Sequence, residues 1–204
     1  MKKVFSGCFL WMSSLVLCLG DEMPTSFVPY GKYKVGDEGP GGGIVFYVSE
    51  KGFKVYGSKK EERIYHYLEM TAESLGLSKW LPSYVEIKGT EIGLGYGKSN
   101  TYKILKMSAK LDLNKDNCAA YRVSQYSTPT TKKGEWWLPS KEELNLMYKT
   151  MKNRVLATLG ENYMWHWSSS DAGKALAWLQ YFDDGLQYDA HKDYIESVRG
   201  IRSF

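Results

Sequence analysis

The sequence predicts a mixed α+β domain in which small antiparallel sheets pack with two or three helices. Three observations carry that reading. One is a capped amphipathic helix: Ser140 precedes Lys141-Glu142-Glu143, and Leu144, Met147, Met151 and Val155 then recur at three- and four-residue steps. Another is the strand-rich end of the chain, where Trp165 to Ser169, Ala175 to Phe182, Leu186 to Tyr188 and Glu196 to Arg202 alternate with turn residues. The third is the β-branched and aromatic run from Ile44 to Val48, followed by Glu50-Lys51-Gly52 and a second short run from Phe53 to Tyr56.

Taken in order, the chain opens with Lys2 and Lys3, runs through an apolar stretch from Val4 to Leu19, and turns charged at Asp21-Glu22. This is the pattern of an export signal, because the stretch is too short and too interrupted by Ser6, Gly7, Ser13 and Ser14 for the ~20 apolar residues of a membrane span. Two processing routes stand open. Cleavage after Gly20 leaves a soluble N-terminus, whereas Leu15-Val16-Leu17-Cys18 read as a lipobox makes Cys18 a lipid anchor. Residues 1–20 are thus read as the signal, 21–33 as a polar linker, and 34–204 as one domain.

Within that domain, Ile44 to Val48 and Phe53 to Tyr56 are expected to form a hairpin about Glu50-Lys51-Gly52. Tyr65 to Met70 reads as a strand, and the rest of 64–97 as loops marked by Trp80-Leu81-Pro82 and by Gly89, Gly93, Gly95 and Gly97. A helix from Asn100 to about Met107, with Ser99 or Asn100 as its cap, and a second from Lys115 to Tyr126 precede the capped helix, which Gly160 ends. Asp184-Gly185 between strands is the strongest local hairpin signal. Trp136, Trp137 and Trp178 are expected in the core.

Composition narrows the functional classes. Without the first twenty residues, 25 basic side chains face 23 acidic ones, and no basic cluster is denser than Lys132-Lys133 or Lys59-Lys60. Nucleic acid is therefore not indicated as a partner. A local basic patch for sulfated or anionic glycans stays open, because net charge does not say how charges group in space. Cys118 is the only thiol beyond the leader, so no internal disulfide forms, and a buried, inert thiol is expected.

Five segments, in this order, resemble the Lcl C-terminal domain: Gly36 to Tyr47 with its glycine run, Gly97-Lys98-Ser99-Asn100-Thr101, Trp136 to Leu144, Trp167-Ser168-Ser169-Ser170-Asp171, and Val198-Arg199-Gly200-Ile201-Arg202. The third resembles the Leu-Pro-(Ser/Thr)-x-x-Glu helix start of the bacterial C-type-lectin-like fold, shared by formylglycine-generating enzymes and variable binding proteins. The resemblance covers Tyr33 to Phe204. It implies a C-type-lectin-like α+β domain on an exported or lipid-anchored bacterial protein, in a family that is sometimes adhesive and also ends a collagen-like adhesin. It names no ligand. It also implies that the helix begun at Leu138-Pro139 packs near the last strand, so that Glu142 and Glu143 bridge to Arg199 and Arg202 as scaffold.

Most motifs that suggest chemistry fail on inspection. Gly39 to Gly43 precedes a strand where a phosphate loop follows one, and Gly97-Lys98-Ser99 has Ile92 where a nucleotide loop requires glycine. Asp112, Asn114 and Asp116 start like a calcium loop, but Asn117 and Val123 replace its glycine and terminal glutamate. The sugar-coordinating motifs of calcium-dependent lectins are absent, so sugar binding is expected to be calcium-independent. His66, His166 and His191 have no ligand spacing, the paired cysteines of the formylglycine-generating enzymes are missing, and no elbow motif surrounds Ser168 to Ser170. No cofactor and no catalytic residue is expected.

Aromatic residues are what remain in excess, with 7 tryptophans and 16 tyrosines. Trp80, Trp165, Tyr181, Tyr188 and Tyr194 flank loops, where ring faces stack on sugars or anchor a protein. Together with His166, Asp171, His191 and Lys192 they form the expected binding surface, on the loops that carry ligands in the resembled fold. The functional expectation is an exported, non-catalytic domain that recognises a glycan or an envelope or host protein. The alternatives are a structural envelope protein without a small ligand and, behind it, an enzyme.

Overall fold

A computed structural model describes residues 29–58, 63–113, 117–157 and 164–204. The export signal, the lipobox with Cys18, most of the linker, Asn114 to Asp116 and Gly160 lie outside them. The described elements follow the order β1 (Ile44–Lys54), β2 (Ile64–Met70), β3 (Leu77–Lys79), α1 (Gly97–Lys110), α2 (Ala119–Gln125), α3 (Lys141–Ala157), β4 (Trp165–Asp171), β5 (Leu176–Tyr181), β6 (Gln187–His191), β7 (Ile195–Ser197) and β8 (Ile201–Ser203). They make a mixed α+β domain with one sheet in the order β1-β2-β8 and another in the order β3-β7-β4-β5-β6. No described helix is long and apolar enough to cross a membrane.

The capped helix forms as its spacing predicts. Leu144, Met147, Met151 and Val155 are buried in one core with Phe46, Leu68, Met70 and Phe182, which seats α3 on the three-stranded sheet. Ser140 and Glu143 complete the capping box: Glu143 N donates to Ser140 Oγ at 3.2 Å, and Ser140 N donates to Glu143 Oε2 at 2.7 Å. A second core joins Ile104 of α1 and Ala119, Ala120 and Val123 of α2 to Trp167 and Leu179 of the five-stranded sheet and to Val198 just after β7.

Several boundaries move. The runs at Ile44 and Phe53 are not two arms of a hairpin: both belong to β1 and share β2 as partner, with Val48 opposite Tyr67 and Phe53 opposite Tyr65. The turn residues between them form a bulge, closed by Ser49 Oγ donating to Gly52 O. The last strand divides, because Val198 to Gly200 cross between sheets along the 71–76 chain, with Val198 N donating to Gly76 O and Thr71 N to Gly200 O.

Helix α1 starts at Gly97, with Tyr96 in the cap position and no side-chain cap bond, so neither Ser99 nor Asn100 caps it. The Asn100 amide is committed elsewhere, accepting from Glu91 N at 2.9 Å and donating to Glu91 O at 2.6 Å. Glycine is required at 97, where a Cβ would lie 2.6 Å from Leu138 O and collide with the Glu143 carboxylate. The Asp184-Gly185 turn forms with Gly185 at φ +86°.

The expected bridge from Glu142 and Glu143 to Arg199 and Arg202 does not form. Backbone donors saturate Glu143, whose Oε1 accepts Gly95 N at 2.9 Å, and burial pushes its carboxyl up to about 7. Arg202 pairs with Glu69 at 2.6 Å, directly across from it on β2. Glu69 also accepts from the N–H groups of Gly41 and Gly43, which is the task of the glycine run. Buried Arg199 donates to Thr71 O and Ala72 O, and burial lowers its pKa to about 10.

Candidate functional site

The strands β4, β5 and β6 alternate so that one face of the five-stranded sheet carries Trp165 opposite Tyr181 and Leu179 opposite Tyr188. Near the middle of the sheet this face is covered by the α1/α2 core. Beyond the cover it opens into a groove of about 500 Å³ whose lining includes Trp165, Leu179, Tyr188, His191, Tyr194 and Glu196. The rings are arranged as a string. Trp165 and Tyr181 lie 4.7 Å apart between centroids, His191 and Tyr194 5.6 Å, and Tyr84 meets His191 edge-on at 6.3 Å. Tyr188 and Tyr194 expose more than half of their surface.

One carboxylate, Glu196, lies among these rings, whereas Asp189 borders the groove through its backbone and stands opposite Trp178, on the sheet face where the Lys141 ammonium lies. Burial raises the Glu196 pKa above the usual carboxylate range. No basic side chain except the His191 imidazole lines the groove. Stacking faces flanked by a carboxylate acceptor suit a ligand that offers C–H faces and hydroxyl or ammonium donors.

Of the nine residues expected to bind, the structure brings Trp165, Tyr188, His191 and Tyr194 into this groove, with Tyr181 packed behind Trp165. It removes Trp80, His166, Asp171 and Lys192. Trp80 is fully buried, its indole N–H donating to Ser168 O at 2.7 Å. Lys192 is also fully buried: its ammonium donates to Asp171 Oδ2, Val85 O and Gly173 O, each at 2.7 Å, and lies 4.7 Å from the centre of the Trp80 ring. Asp171 accepts Ile87 N as well. This knot holds the loop 81–89 beside the groove, so it supports the site without lining it.

His166 is enclosed between Phe182 and the sheet, its Nδ1 facing Met164 O at 3.2 Å and its Nε2 without a hydrogen bond. Burial, then the nearby Arg199 charge, pushes its pKa down to about 3, and the ring is neutral. Trp136 and Trp137 are buried as expected, whereas Trp178 is half-buried beneath the Lys141 ammonium, 3.1 Å from its ring centre. Cys118 is buried at the start of α2, where burial raises its pKa. Among the described residues no group of His, Cys, Asp and Glu gathers with metal-ligand geometry.

Sequence reasoning missed Tyr84, Leu179 and Glu196. The alternation of β5 and β6 would have found Leu179 once the register opposite Tyr188 was known. Nothing in the sequence brings Tyr84 across more than a hundred residues to Asp193, to which its hydroxyl donates at 2.8 Å.

Neither a family model nor a curated relative matches this sequence. Among solved structures, the chain is similar in fold to a fimbrial protein from Bacteroides ovatus, with 13% identity and a TM-score of 0.51. The match covers 79% of this chain and 44% of that one, so the chain spans less than half the length of that structure. At this identity the likeness shows the fold alone, an α+β arrangement of two small sheets and packed helices.

Proposed function

We propose that this chain is an exported, non-catalytic recognition domain of the C-type-lectin-like class, of Lcl C-terminal type, which binds a glycan at the bacterial cell envelope without calcium. The observation that carries the reading is the convergence of Trp165, Tyr188, His191 and Tyr194 around Glu196 in one open groove. The pairing of β8 with β2, which returns the C-terminal segment to the start of the domain, supports the fold assignment, as does the order of the five segments described above. The signal-like leader supports export to the periplasm, the surface or the medium, soluble or held by Cys18. With stacking faces and an acidic acceptor in Glu196, the groove favours neutral or amino sugars over acidic ones.

A glycan array probed with the purified protein, with and without a chelator, tests this. A hit among neutral or amino glycans that survives chelation, and that Tyr188→Ala/Tyr194→Ala abolishes with an unchanged melting curve, is the expected result. Silence of the array, or binding that the double variant retains, would overturn it.

One observation favours a second reading, that of a structural envelope component. Strand β6 is a sheet edge, and Leu186 and Tyr188 on it or just before it, with Tyr194 just after it, are exposed apolar side chains. The fimbrial protein of similar fold fits this reading. A mass that rises with concentration in sedimentation, and that the same double variant reduces to the monomer, would favour it.

A further inference from the structure

Glu196, in the aromatic groove, is a half-buried carboxylate that no hydrogen bond or ion pair reaches among the described residues. Strand β7 runs parallel beside β4 with Ser197 next to His166, so Glu196 stands beside Trp165 on the same face of the sheet. Ser78, directly opposite Glu196 on β3, keeps its buried hydroxyl without a partner instead of donating to it. Burial alone raises the Glu196 pKa, with no described cation near enough to lower it. Other enclosed carboxylates are served by the fold: Glu69 has Arg202, Asp171 has Lys192, and Glu143 is met by the N–H groups of Gly95 and Ser140. A carboxylate left in the condition of Glu196 is open to a donor from outside.

We propose that the groove selects glycans that carry free amino groups, with the ammonium of a de-N-acetylated hexosamine at Glu196 and the C–H faces of the sugar on the rings. This inference rests on the glycan reading given above and narrows it. A neutral sugar laid over Glu196 strips water from the carboxylate and returns hydroxyl hydrogen bonds at most. An ammonium returns a charge-assisted bond. The rings act in the same sense, because the faces of Trp165, Tyr188 and Tyr194 attract a cation held above them. No lysine or arginine among the described residues lines the groove to repel one.

The rim adds to this field. The string of rings continues from His191 to Tyr84, whose hydroxyl donates to the exposed Asp193 carboxylate, so negative charge also stands at that end. A small quaternary ammonium headgroup matches these features less closely. Rings that recognise such a group enclose it as a cage, whereas these are strung along an open groove of about 500 Å³, which suits a chain of sugar rings. N-acetylation of the same sugar replaces the cation by a neutral amide and leaves Glu196 unanswered.

The experiment titrates the whole protein with a glucosamine oligomer of the chitosan type and with the same oligomer fully N-acetylated, two ligands that share rings and linkage and differ only in the amine. Polylysine and choline serve as cations without a sugar. The expected result is binding to the free-amine oligomer about tenfold or more tighter than to the acetylated one. Glu196→Gln should remove that preference with an unchanged or raised melting temperature, and Glu50→Gln, at an exposed carboxylate elsewhere, should leave it in place. Failure to bind the free-amine oligomer, equal affinity for the two oligomers, a preference that survives Glu196→Gln, or equally tight binding of polylysine or choline would overturn the proposal. The oligomer comparison is made on the wild type and so does not depend on how the variant folds. Equal affinity for the two oligomers leaves a glycan site that ignores the amine, whereas silence of both oligomers and of the glycan array removes the recognition reading as well.

Discussion

The buried ammonium of Lys192 shows how one side chain can carry a loop. Three oxygens at 2.7 Å and the Trp80 ring replace its water, so the cation is satisfied on every side although burial lowers its pKa. Cutting it to Lys192→Met strands the Asp171 carboxylate in the interior, and a loss of about 3 to 5 kcal/mol is expected in urea melts. Asp171→Asn should cost less, because the amide oxygen still accepts while the ammonium keeps its two carbonyls. Equal costs would show that the pair contributes through packing alone. In the sequence these two residues look like solvent-facing loop charges. Only the approach of Val85, Gly173 and Trp80 from distant segments encloses them, and for that reason a binding role was misread where a structural one exists.

Two other buried groups act on pH in opposite senses. The folded pKa of His166, about 3, lies below its unfolded value, so its contribution is present above about pH 6.5 and is lost as pH falls toward 3. The folded pKa of Glu143, about 7, lies above its unfolded value, so its contribution is present below about pH 4.5 and is lost as pH rises toward 7. Between these limits the two slopes, each about 1.4 kcal/mol per pH unit, oppose one another. In a His166→Leu protein the Glu143 slope is no longer opposed, burial of Glu196 and Glu69 acts in the same sense, and melts taken from pH 4.5 to 7 should show stability falling as pH rises. A slope unchanged from wild type would sink this account.

At the scale of elements, helix α3 is the best-determined piece because its signals are local. Its cap, its first-turn carboxylates and its apolar stripe all lie within one stretch of sequence, and the structure reproduces them. What lay beyond reach is the second use of the cap. Ser140 Oγ also donates to Gly93 O at 2.7 Å, and Glu143 accepts Gly95 N, so the box fastens the glycine-rich turn ahead of α1 as well as its own helix. Ser140→Ala should therefore cost about 1 to 2 kcal/mol, toward the upper end for a cap. Amide exchange should quicken at residues 93–97 as well as at 141–144, and exchange that quickens only at 141–144 would refute the second role. The strands fared worse for the same reason in reverse. Composition marks Ile44 to Val48 and Phe53 to Tyr56 as strand, but whether they pair with each other or with a common neighbour depends on β2, which local turn residues do not reveal. The aromatic groove is half legible: the loop-flanking rings are visible in the sequence, and the placing of the Glu196 carboxylate among them depends on register.

For the whole molecule the decisive contact is the C-terminal strand. Strand β8 pairs with β2, Arg202 meets Glu69 across that pair, and the Phe204 ring stacks on Tyr67 at 5.0 Å and meets Tyr33 edge-on at 5.3 Å. Deleting Ile201 to Phe204 removes an edge from the small sheet, a partner from buried Glu69 and the Ile201 contact with Trp137. The truncated protein should lose its cooperative thermal transition and its near-ultraviolet dichroism. Retention of both would show that the remaining sheet and α3 suffice.

That seam also bears on how the protein comes into being. Glu69 and Arg202 are 133 residues apart, and the loop between them must be gathered before their contact repays its entropy. A chain in which β8 has not yet docked leaves β2 with one neighbour and buried Glu69 without its guanidinium partner. The small sheet is therefore expected to set as a late step of folding, after the segments between β2 and β8 have been gathered.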